Sequence, residues 1–396
     1  MLSRYRQIFR EPGTRQFSAA GFVARLPMSM VGIGVVVMLA ETRGSYSLAG
    51  AVAAVYAFAT AVLGPLVGRA IDRRGQRAVT VPALLVSSSG LVALLWLAGA
   101  RYPVWPLFLC AALAGVLPSV GSLVRARWAE IYAGDKRIQT AYSFEAVVDE
   151  VVYIVGPLLA ITLATSFFPE AGVLGAVALS FVGTSALVIQ RSSEPKVKAR
   201  AAAGRSAIRF SALHVVVPAL MAVGAIFGST EVVTVAFAES EGSRSAASYL
   251  LALNAVGGCV GGLLFGAFEW KASLSKQFLY CVFSMPALLA PLLVTSSLGP
   301  LAFTIFVAGL AIAPVLIIAM ALVEGLMPAE SLTEGLTWAT SGINVGLASG
   351  AAIGGWAVDS FDAHSAFVVP IAAGLLAGVI AGIGAGRLKA PDAARL

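Results

Sequence analysis

Charged residues, histidine and cysteine are all scarce in this chain. Only 12% of the 396 residues are Asp, Glu, Lys or Arg, and there are 2 His and 3 Cys. A soluble domain carries about twice that share of charge, so the composition excludes a soluble globular protein. His214 and His364 are far apart in the sequence, and Cys110, Cys259 and Cys281 lie inside apolar segments. We therefore expect no metal site and no disulfide.

Sequence motifs of enzymes and of nucleic-acid-binding proteins are absent as well. No P-loop, nucleophile elbow or dinucleotide-binding glycine pattern follows a candidate strand, so we expect neither an enzyme nor a bound cofactor. The basic residues do not form a patch interleaved with aromatic residues, which argues against a nucleic-acid partner. The start of the chain also lacks the short apolar core and small-residue site of a cleaved signal peptide.

Apolar residues, by contrast, make up 59% of the chain, and its mean hydropathy is +0.89. A run of about 20 apolar residues forms a helix long enough to cross the ~30 Å hydrocarbon layer of a bilayer. We predict an all-α polytopic membrane protein with twelve transmembrane helices, at 17–41, 46–68, 78–99, 104–128, 140–164, 170–190, 211–236, 246–268, 277–297, 301–325, 332–357 and 364–386.

The two halves of the chain resemble each other. A group of residues after the first predicted span returns after the seventh: Glu41, Gly44, Ser45 and Ser47 match Glu239, Gly242, Ser243 and Ser245. Gly64 and Gly68 in the second span likewise match Gly262 and Gly266 in the eighth. Parallel repeats of about six spans occur in secondary transporters, so we predict two six-helix bundles, 1–190 and 210–396, joined by a basic linker, 191–209.

Basic residues are distributed unevenly over the predicted loops. The termini and alternate loops carry nearly all the Lys and Arg, and only Arg43, Arg101 and Arg244 fall on the opposite side. Cytoplasmic loops of membrane proteins are enriched in Lys and Arg. We therefore predict a multi-pass protein of the cell (inner) membrane with both termini in the cytoplasm.

The loop between the second and third spans carries a recognisable motif. Residues 68–77 read G-R-A-I-D-R-R-G-Q-R. This segment resembles the signature of the major facilitator superfamily, G-x-x-x-[DE]-[RK]-x-G-[RK]-[RK], at Gly68, Asp72, Arg73, Gly75 and Arg77, with Gln76 in place of a basic residue. The resemblance implies the major facilitator fold and a secondary transporter that works by alternating access.

The same resemblance implies a contact between the halves at Asp72. Ser331-Leu-Thr-Glu334 is a capping-box pattern that predicts a helix start at the eleventh span, where the positive end of the helix dipole attracts an anion. The resemblance implies that Asp72 docks there; the alternative is that it only anchors the loop in water. Gly64 and Gly68, four residues apart, predict close approach of another helix.

Charged residues inside the predicted spans are few and clustered. Arg25 lies in the first span, and Glu145, Asp149 and Glu150 lie in the fifth at similar depth. Each unpaired charge near a helix centre costs about 2.5–3.5 kcal/mol on insertion scales. Because one arginine cannot neutralise three acids, we expect Arg25 to pair with Glu145 or Asp149, and Asp149 or Glu150 to be the proton-coupling acid. The alternative is a salt bridge that only pins the helices.

Further candidates lie in other spans. Glu231 in the seventh span is either a coupling acid or a solvated residue near the outer surface. The substrate-cavity candidates, each with ordinary packing or an interhelical hydrogen bond as its alternative, are Met28, Tyr56, Asn254, Trp338, Ser341 and Asn344. Arg125 and Arg127 are interpreted as interfacial anchors, with a proton relay as the alternative.

These observations predict a proton-coupled exporter of an amphipathic, drug-like small molecule. We expect its partners to be the substrate, protons and the lipid bilayer, its energy source to be the proton gradient, and its state to be monomeric. Transport of a sugar or metabolite, a lysolipid flippase and a non-transporting sensor or scaffold remain alternatives. The Gly156-Pro157 pair resembles part of an antiporter signature whose other glycines are missing, so the direction of transport stays open.

Overall fold

The computed structural model describes residues 2–99, 102–197, 206–268, 270, 272–295 and 297–388. These residues form helices joined by short connections and contain no β-strand. The first half consists of α1 (Leu2–Ile8), α2 (Thr14–Arg43), α3 (Tyr46–Arg74), α4 (Gln76–Gly99), α5 (Trp105–Ala114), α6 (Val120–Ile131), α7 (Arg137–Ser166) and α8 (Ala171–Ile189). The second half consists of α9 (Leu213–Ser240), α10 (Arg244–Ala267), α11 (Leu274–Leu289), α12 (Leu298–Leu326), α13 (Leu332–Ser360) and α14 (Val368–Gly384).

Ten helical segments in the described part of the chain are long and apolar enough to cross a membrane. The helix α13, rich in glycine, serine and threonine, is long enough but is not among these ten. With α13 and the interrupted fourth span, the segments account for the twelve predicted spans. Of the predicted linker, residues 198–205 lie outside the described part, and short 3₁₀ turns occur at Arg191–Ser193 and Ala207–Arg209.

The prediction of one continuous helix at 104–128 is wrong, because this span is divided into α5 and α6. Pro118 has no backbone N–H to donate, and the Ser119 side chain caps the new helix by accepting a hydrogen bond from the Ser122 backbone N. Gly115, at the end of α5, packs so closely on α3 that an added Cβ would lie 2.6 Å from the Cβ of Ala59. Hydropathy alone does not show this break, because the residues on both sides of it, at the end of α5 and the start of α6, are apolar.

Glycines set the closest packing in the second half. Gly342, Gly346, Gly350 and Gly354 recur every four residues along α13 and face α9. A Cβ added at Gly346 would overlap the carbonyl oxygen of Met221. The two backbones are therefore in direct contact, as in membrane helices joined through small residues.

Repeat-related glycines also join the two halves. Gly64 and Gly68 of α3 face Thr337 of α13, and a Cβ at Gly68 would lie 3.0 Å from the Thr337 hydroxyl. Gly262 and Gly266 of α10 face α7 in the equivalent way. These contacts lie at what we call the linker end of the bundle: the last turns of α3 and α10 and the first turns of α7 and α13. Also at this end, the Tyr5 hydroxyl donates to the Leu263 carbonyl (3.0 Å).

Candidate functional site

A cavity of about 330 Å³ lies between the two halves. Its wall in the first half comes from α2, α6 and α7 and carries most of the charge. Its wall in the second half comes from α9, α12 and α13 and is mainly apolar. The charged and polar lining residues include Arg25, Arg125, Tyr142, Asp149, Glu150, Tyr153, Glu231, Thr340 and Asn344, and the apolar ones include Met28, Phe227, Leu316, Ile317, Met320, Ile343 and Leu347.

A buried ion-pair network occupies the first-half wall. The Arg25 guanidinium donates to the Glu145 carboxylate through Nη2 and to Asp149 Oδ1 through Nη1, the latter at 2.9 Å. Arg125 Nη2 donates to the other oxygen of Asp149 (2.5 Å), and Trp128 Nε1 donates to Glu145 Oε1 (2.7 Å). Two guanidinium groups therefore balance two carboxylates. Such pairing offsets the cost of placing charge in a low-dielectric interior.

The interpretation of Arg125 and Arg127 as interfacial anchors is wrong, because both side chains are buried. Two residues apart on a helix, they point about 200° apart. Arg125 faces the cavity. Arg127 faces the linker end, where it donates to the Gln76 side chain (2.8 Å) and to the Ser193 hydroxyl (2.8 Å). A basic residue at position 76, as in the family signature, would place a second positive charge beside Arg127, so the neutral amide fits this site.

Glu150 has a different environment from its neighbours on α7. It is turned about 100° from Asp149 and lies against α10, where a Cβ on Gly258 would be 3.2 Å from Glu150 Oε1. Within the described ranges, no Lys or Arg lies at ion-pair distance from Glu150 or from Glu231. The cavity therefore holds two acids without a basic partner, one from each half.

The structure brings most of the other candidates to this cavity or to spaces beside it. Met28 and Asn344 line both the cavity and a small adjoining space of about 50 Å³, whose wall also contains Tyr56 and Ser341. Asn254 lines a crevice on the opposite side. Trp338 lines none of these spaces and packs against the hydrophobic core.

In this structure Trp338 is therefore outside the walls of these three spaces. At about 100° per residue, Trp338 lies about 60° from Ser341 and about 120° from Asn344 around α13. Sequence reasoning also missed Tyr142, whose buried hydroxyl lacks a hydrogen-bond partner in the described part of the chain. The sequence carries no signal for it, since a tyrosine within a span is usually a packing residue.

The motif loop meets α13 at the linker end. The Asp72 carboxylate accepts hydrogen bonds from the backbone N of Thr333 (3.0 Å) and of Glu334 (2.8 Å). These are the second and third residues of α13, the donors that an N-cap side chain usually satisfies. The Ser331 side chain makes no such capping bond. Asp72 thus caps a helix of the other half.

The remaining motif residues shape the turn after Asp72. Arg73 lies in the last turn of α3, and Gly75 has a φ of 91°, which favours glycine. The backbone N of Arg77 donates to Glu194 Oε1 (2.9 Å), so the start of the linker is held against this turn. Glu334 Oε2 lies 3.8 Å from Arg69 Nε, and Glu334 also accepts a hydrogen bond from Ser206, near the other end of the linker.

Comparison with known proteins gives one consistent fold. The family model described as Major Facilitator Superfamily matches residues 17–273. A bacterial homologue of the iron transporter ferroportin in an outward-facing state is similar over 94% of this chain and 99% of its own (TM-score 0.72, 17% identity). The human organic anion transporter MFSD10 (TETRAN) is similar over 94% of this chain and 100% of its own, with a TM-score of 0.71 and 13% identity. No curated protein sequence matches this chain.

A sugar transporter has the same fold. The proton:xylose symporter XylE, bound to 6-bromo-6-deoxy-D-glucose, is similar over 93% of this chain and 95% of its own, with a TM-score of 0.65 and 13% identity. At identities this low the structural likenesses establish the architecture alone.

Proposed function

This chain belongs to the major facilitator superfamily, and from that premise we propose that it exports an amphipathic small molecule in exchange for protons. Membership makes it a multi-pass membrane protein and a secondary transporter that works by alternating access. It is not an enzyme. The substrate, the proton coupling and the direction of transport are the proposed parts.

The unpaired position of Glu150 in the cavity is the observation that carries the proposal. Arg25 and Arg125 already neutralise Glu145 and Asp149, so Glu150 has no basic partner to hold it ionised. An isolated carboxylate in a wall that loses water costs several kcal/mol. It avoids that cost by taking up a proton, or by binding a cation, in the state where the cavity is dry. Alternation between these two occupants couples proton movement to substrate movement.

The second-half wall supports an amphipathic substrate. It offers Phe227, Met320 and Ile343 as apolar surface, with Thr340 and Asn344 as uncharged hydrogen-bonding groups. A sugar site needs several polar groups converging on each hydroxyl, and this wall has few. A sensor or scaffold without a transport cycle is disfavoured, because the motif loop is largely intact and its Asp72 reaches the other half.

The basic-residue bias supports a cytoplasmic position for the linker end and for both termini, and we propose the cell (inner) membrane as the location. In this structure the linker end is held together by Asp72 on α13 and by the glycine contacts of α10 on α7. When the cavity is open to the outer side, a proton from that side neutralises the carboxylate. The bound cation then leaves to the outer side, and this direction of movement is export. A single chain contains the whole cavity, so we propose a monomer.

Proteoliposomes test the role of Glu150. A ligand-stabilisation screen on purified protein selects the compound, and the internal pH is then recorded as that compound is added. We expect Glu150→Gln to bind the compound but to move no protons with it, because the amide cannot exchange a proton. Glu130→Gln makes the same change at an exposed position on α6 and should behave as wild type. Unchanged proton movement in Glu150→Gln would falsify the proposal.

A further inference from the structure

A second cavity adjoins the central one. This crevice of about 320 Å³ lies between α7 and α10, and its wall shares Glu150, Tyr153, Phe227 and Glu231 with the central cavity. The wall is completed by Ile154, Thr230, Leu251, Ala252, Asn254 and Ala255. The two spaces therefore adjoin each other at these four side chains.

The crevice lies beyond the close glycine contacts that α10 makes with α7 near the linker end. Near that end α10 packs on α7 through glycines: a Cβ on Gly266 would overlap the Ser143 side chain, and a Cβ on Gly262 would lie 3.4 Å from Val147. Gly258 against Glu150 is the last glycine contact of this series. One turn further along α7, Ile154 and the facing residues Leu251 and Ala255 of α10 line the crevice.

The mouth of the crevice opens on an apolar surface of the bundle. Ile154 and Leu158 on α7 are 47% and 64% exposed, and Val256 on α10 is 49% exposed. In a bilayer, exposed apolar side chains at this depth contact lipid. Glu150 lies about 20 Å from the start of α7 at 1.5 Å per residue. The crevice therefore begins near the middle of the membrane and extends into the leaflet away from the linker end.

The inner part of the crevice suits a cation. Its wall carries both acids that lack a basic partner, Glu150 and Glu231, together with the aromatic faces of Tyr153 and Phe227. Carboxylates and aromatic faces both attract organic cations. Thr230 is only 3% exposed, and its hydroxyl has no hydrogen-bond partner among the described residues. This wall therefore also offers a buried hydroxyl group to which a ligand can hydrogen-bond.

We infer that the crevice is a lateral portal, through which an amphipathic organic cation passes between the central cavity and the leaflet away from the linker end. The cationic group moves along Glu150 and Glu231 while the apolar part stays in contact with the lipid-facing wall. This inference rests on the proposed transport function and specifies the charge of the substrate and its route.

The route is tested by narrowing the mouth of the crevice. Protein in lipid nanodiscs is loaded with radiolabelled tetraphenylphosphonium, and its release is followed after addition of unlabelled compound. We expect Ile154→Trp, and independently Ala252→Trp on the facing helix, to slow release about tenfold, equivalent to ~1.4 kcal/mol in the barrier. Val182→Trp makes an equally large change at a 64% exposed position of α8, away from both cavity walls, and should release at the wild-type rate. Equal rates in all variants that retain wild-type thermal stability would overturn the portal.

The charge preference is tested by equilibrium binding. Tetraphenylborate has nearly the same size and shape as tetraphenylphosphonium but the opposite charge. We expect the cation to bind and the anion not to bind. We also expect Glu231→Gln to weaken cation binding about tenfold, because the variant loses one partly screened negative charge near the cation. Absence of cation binding, or equal binding of both ions, would overturn the inference.

Failures of the two proposals can be told apart. In one outcome, only the cation binds and the tryptophan variants slow its release, but no protons move when the cation is added. That outcome would retain the portal and reject proton coupling. Proton movement with a compound from the screen, together with tetraphenylphosphonium release that ignores both tryptophans, would reject the portal and retain proton coupling.

Discussion

Three acids lie close together on α7, and each has a different environment. Glu145 is almost fully buried and accepts from both Arg25 and Trp128. Asp149 lies between two guanidinium groups, and Glu150 faces the other half of the molecule without a basic partner. The first two are already paired with guanidinium groups. Only the third is available to a proton or a substrate without breaking an existing pair.

Breaking the buried pair at Arg25 should be costly. We expect Arg25→Ala to lower stability by about 3–5 kcal/mol, the usual cost of leaving a buried partner uncompensated. Adding Glu145→Gln should restore part of the loss, because it removes the charge left behind. Thermal unfolding of the purified variants measures both effects, with the exposed Arg10→Ala as control. Strictly additive losses in the double variant would show that the two residues do not interact.

Neutralising the neighbouring acids should have opposite effects on stability. Asp149→Asn leaves Arg25 and Arg125 with one carboxylate between them, so we expect the melting temperature to fall. Glu150→Gln removes a charge that has no partner, so we expect the melting temperature to stay the same or rise. The comparison needs only thermal unfolding at neutral pH. A larger loss in Glu150→Gln than in Asp149→Asn would contradict the assignment of the unpaired acid.

At the scale of elements, small residues decide which helices meet. The four-residue glycine repeat of α13 lets its backbone contact α9, and the glycines of α10 do the same with α7 as far as Gly258. The crevice lies just beyond the last of these contacts, Gly258 against Glu150. The glycines therefore mark both the close helix contacts and the boundary of the crevice.

A methyl group added at the α9 contact should not be tolerated. In Gly346→Ala the new Cβ would overlap the carbonyl oxygen of Met221, and overpacking of this kind costs about 1–3 kcal/mol. Gly32→Ala on α2 is the matched control, because nothing lies within 4 Å of its added Cβ. We expect a clear fall in melting temperature for the first variant and none for the second. Equal effects would mean that α9 and α13 are not in backbone contact.

At the scale of the whole molecule, the halves are fastened at the linker end. Two repeat-related helix contacts, α3 with α13 and α10 with α7, lie on either side of this end, and Asp72 adds a charged cap on α13. The start of the linker is attached to the same turn through Glu194. Opening this end requires all of these contacts to separate, so each one favours the closed linker end.

Weakening the Asp72 cap should shift the population towards an open linker end. Asp72→Asn keeps one acceptor oxygen but loses the charge that stabilises a helix N-terminus, worth about 0.3–1 kcal/mol near a surface. We expect Thr140→Cys, buried against Gly266 in this structure, to react faster with a membrane-impermeant maleimide when Asp72→Asn is present. The native cysteines are replaced by alanine for this measurement.

The control for this experiment is Asp135→Asn, which changes an acid in a loop of the first half only. Asp135 accepts from Arg137 (2.8 Å) rather than from the other half, so its loss should leave the reaction rate unchanged. If Thr140→Cys reacts with the maleimide equally fast in the Asp72→Asn and Asp135→Asn proteins, the Asp72 cap does not influence the conformational balance.

Hydropathy, repeat spacing and turn chemistry are local properties, so they were enough to predict the membrane class, the twelve spans, the duplication and the motif loop. The sequence also placed Arg25 and the α7 acids at one depth. It could not show that Pro118 divides the fourth span, that Arg125 turns into the cavity, or that Trp338 turns away from it. Only the tertiary structure left Glu150 without a partner and opened the crevice beside it, because both depend on how helices distant in the chain pack together.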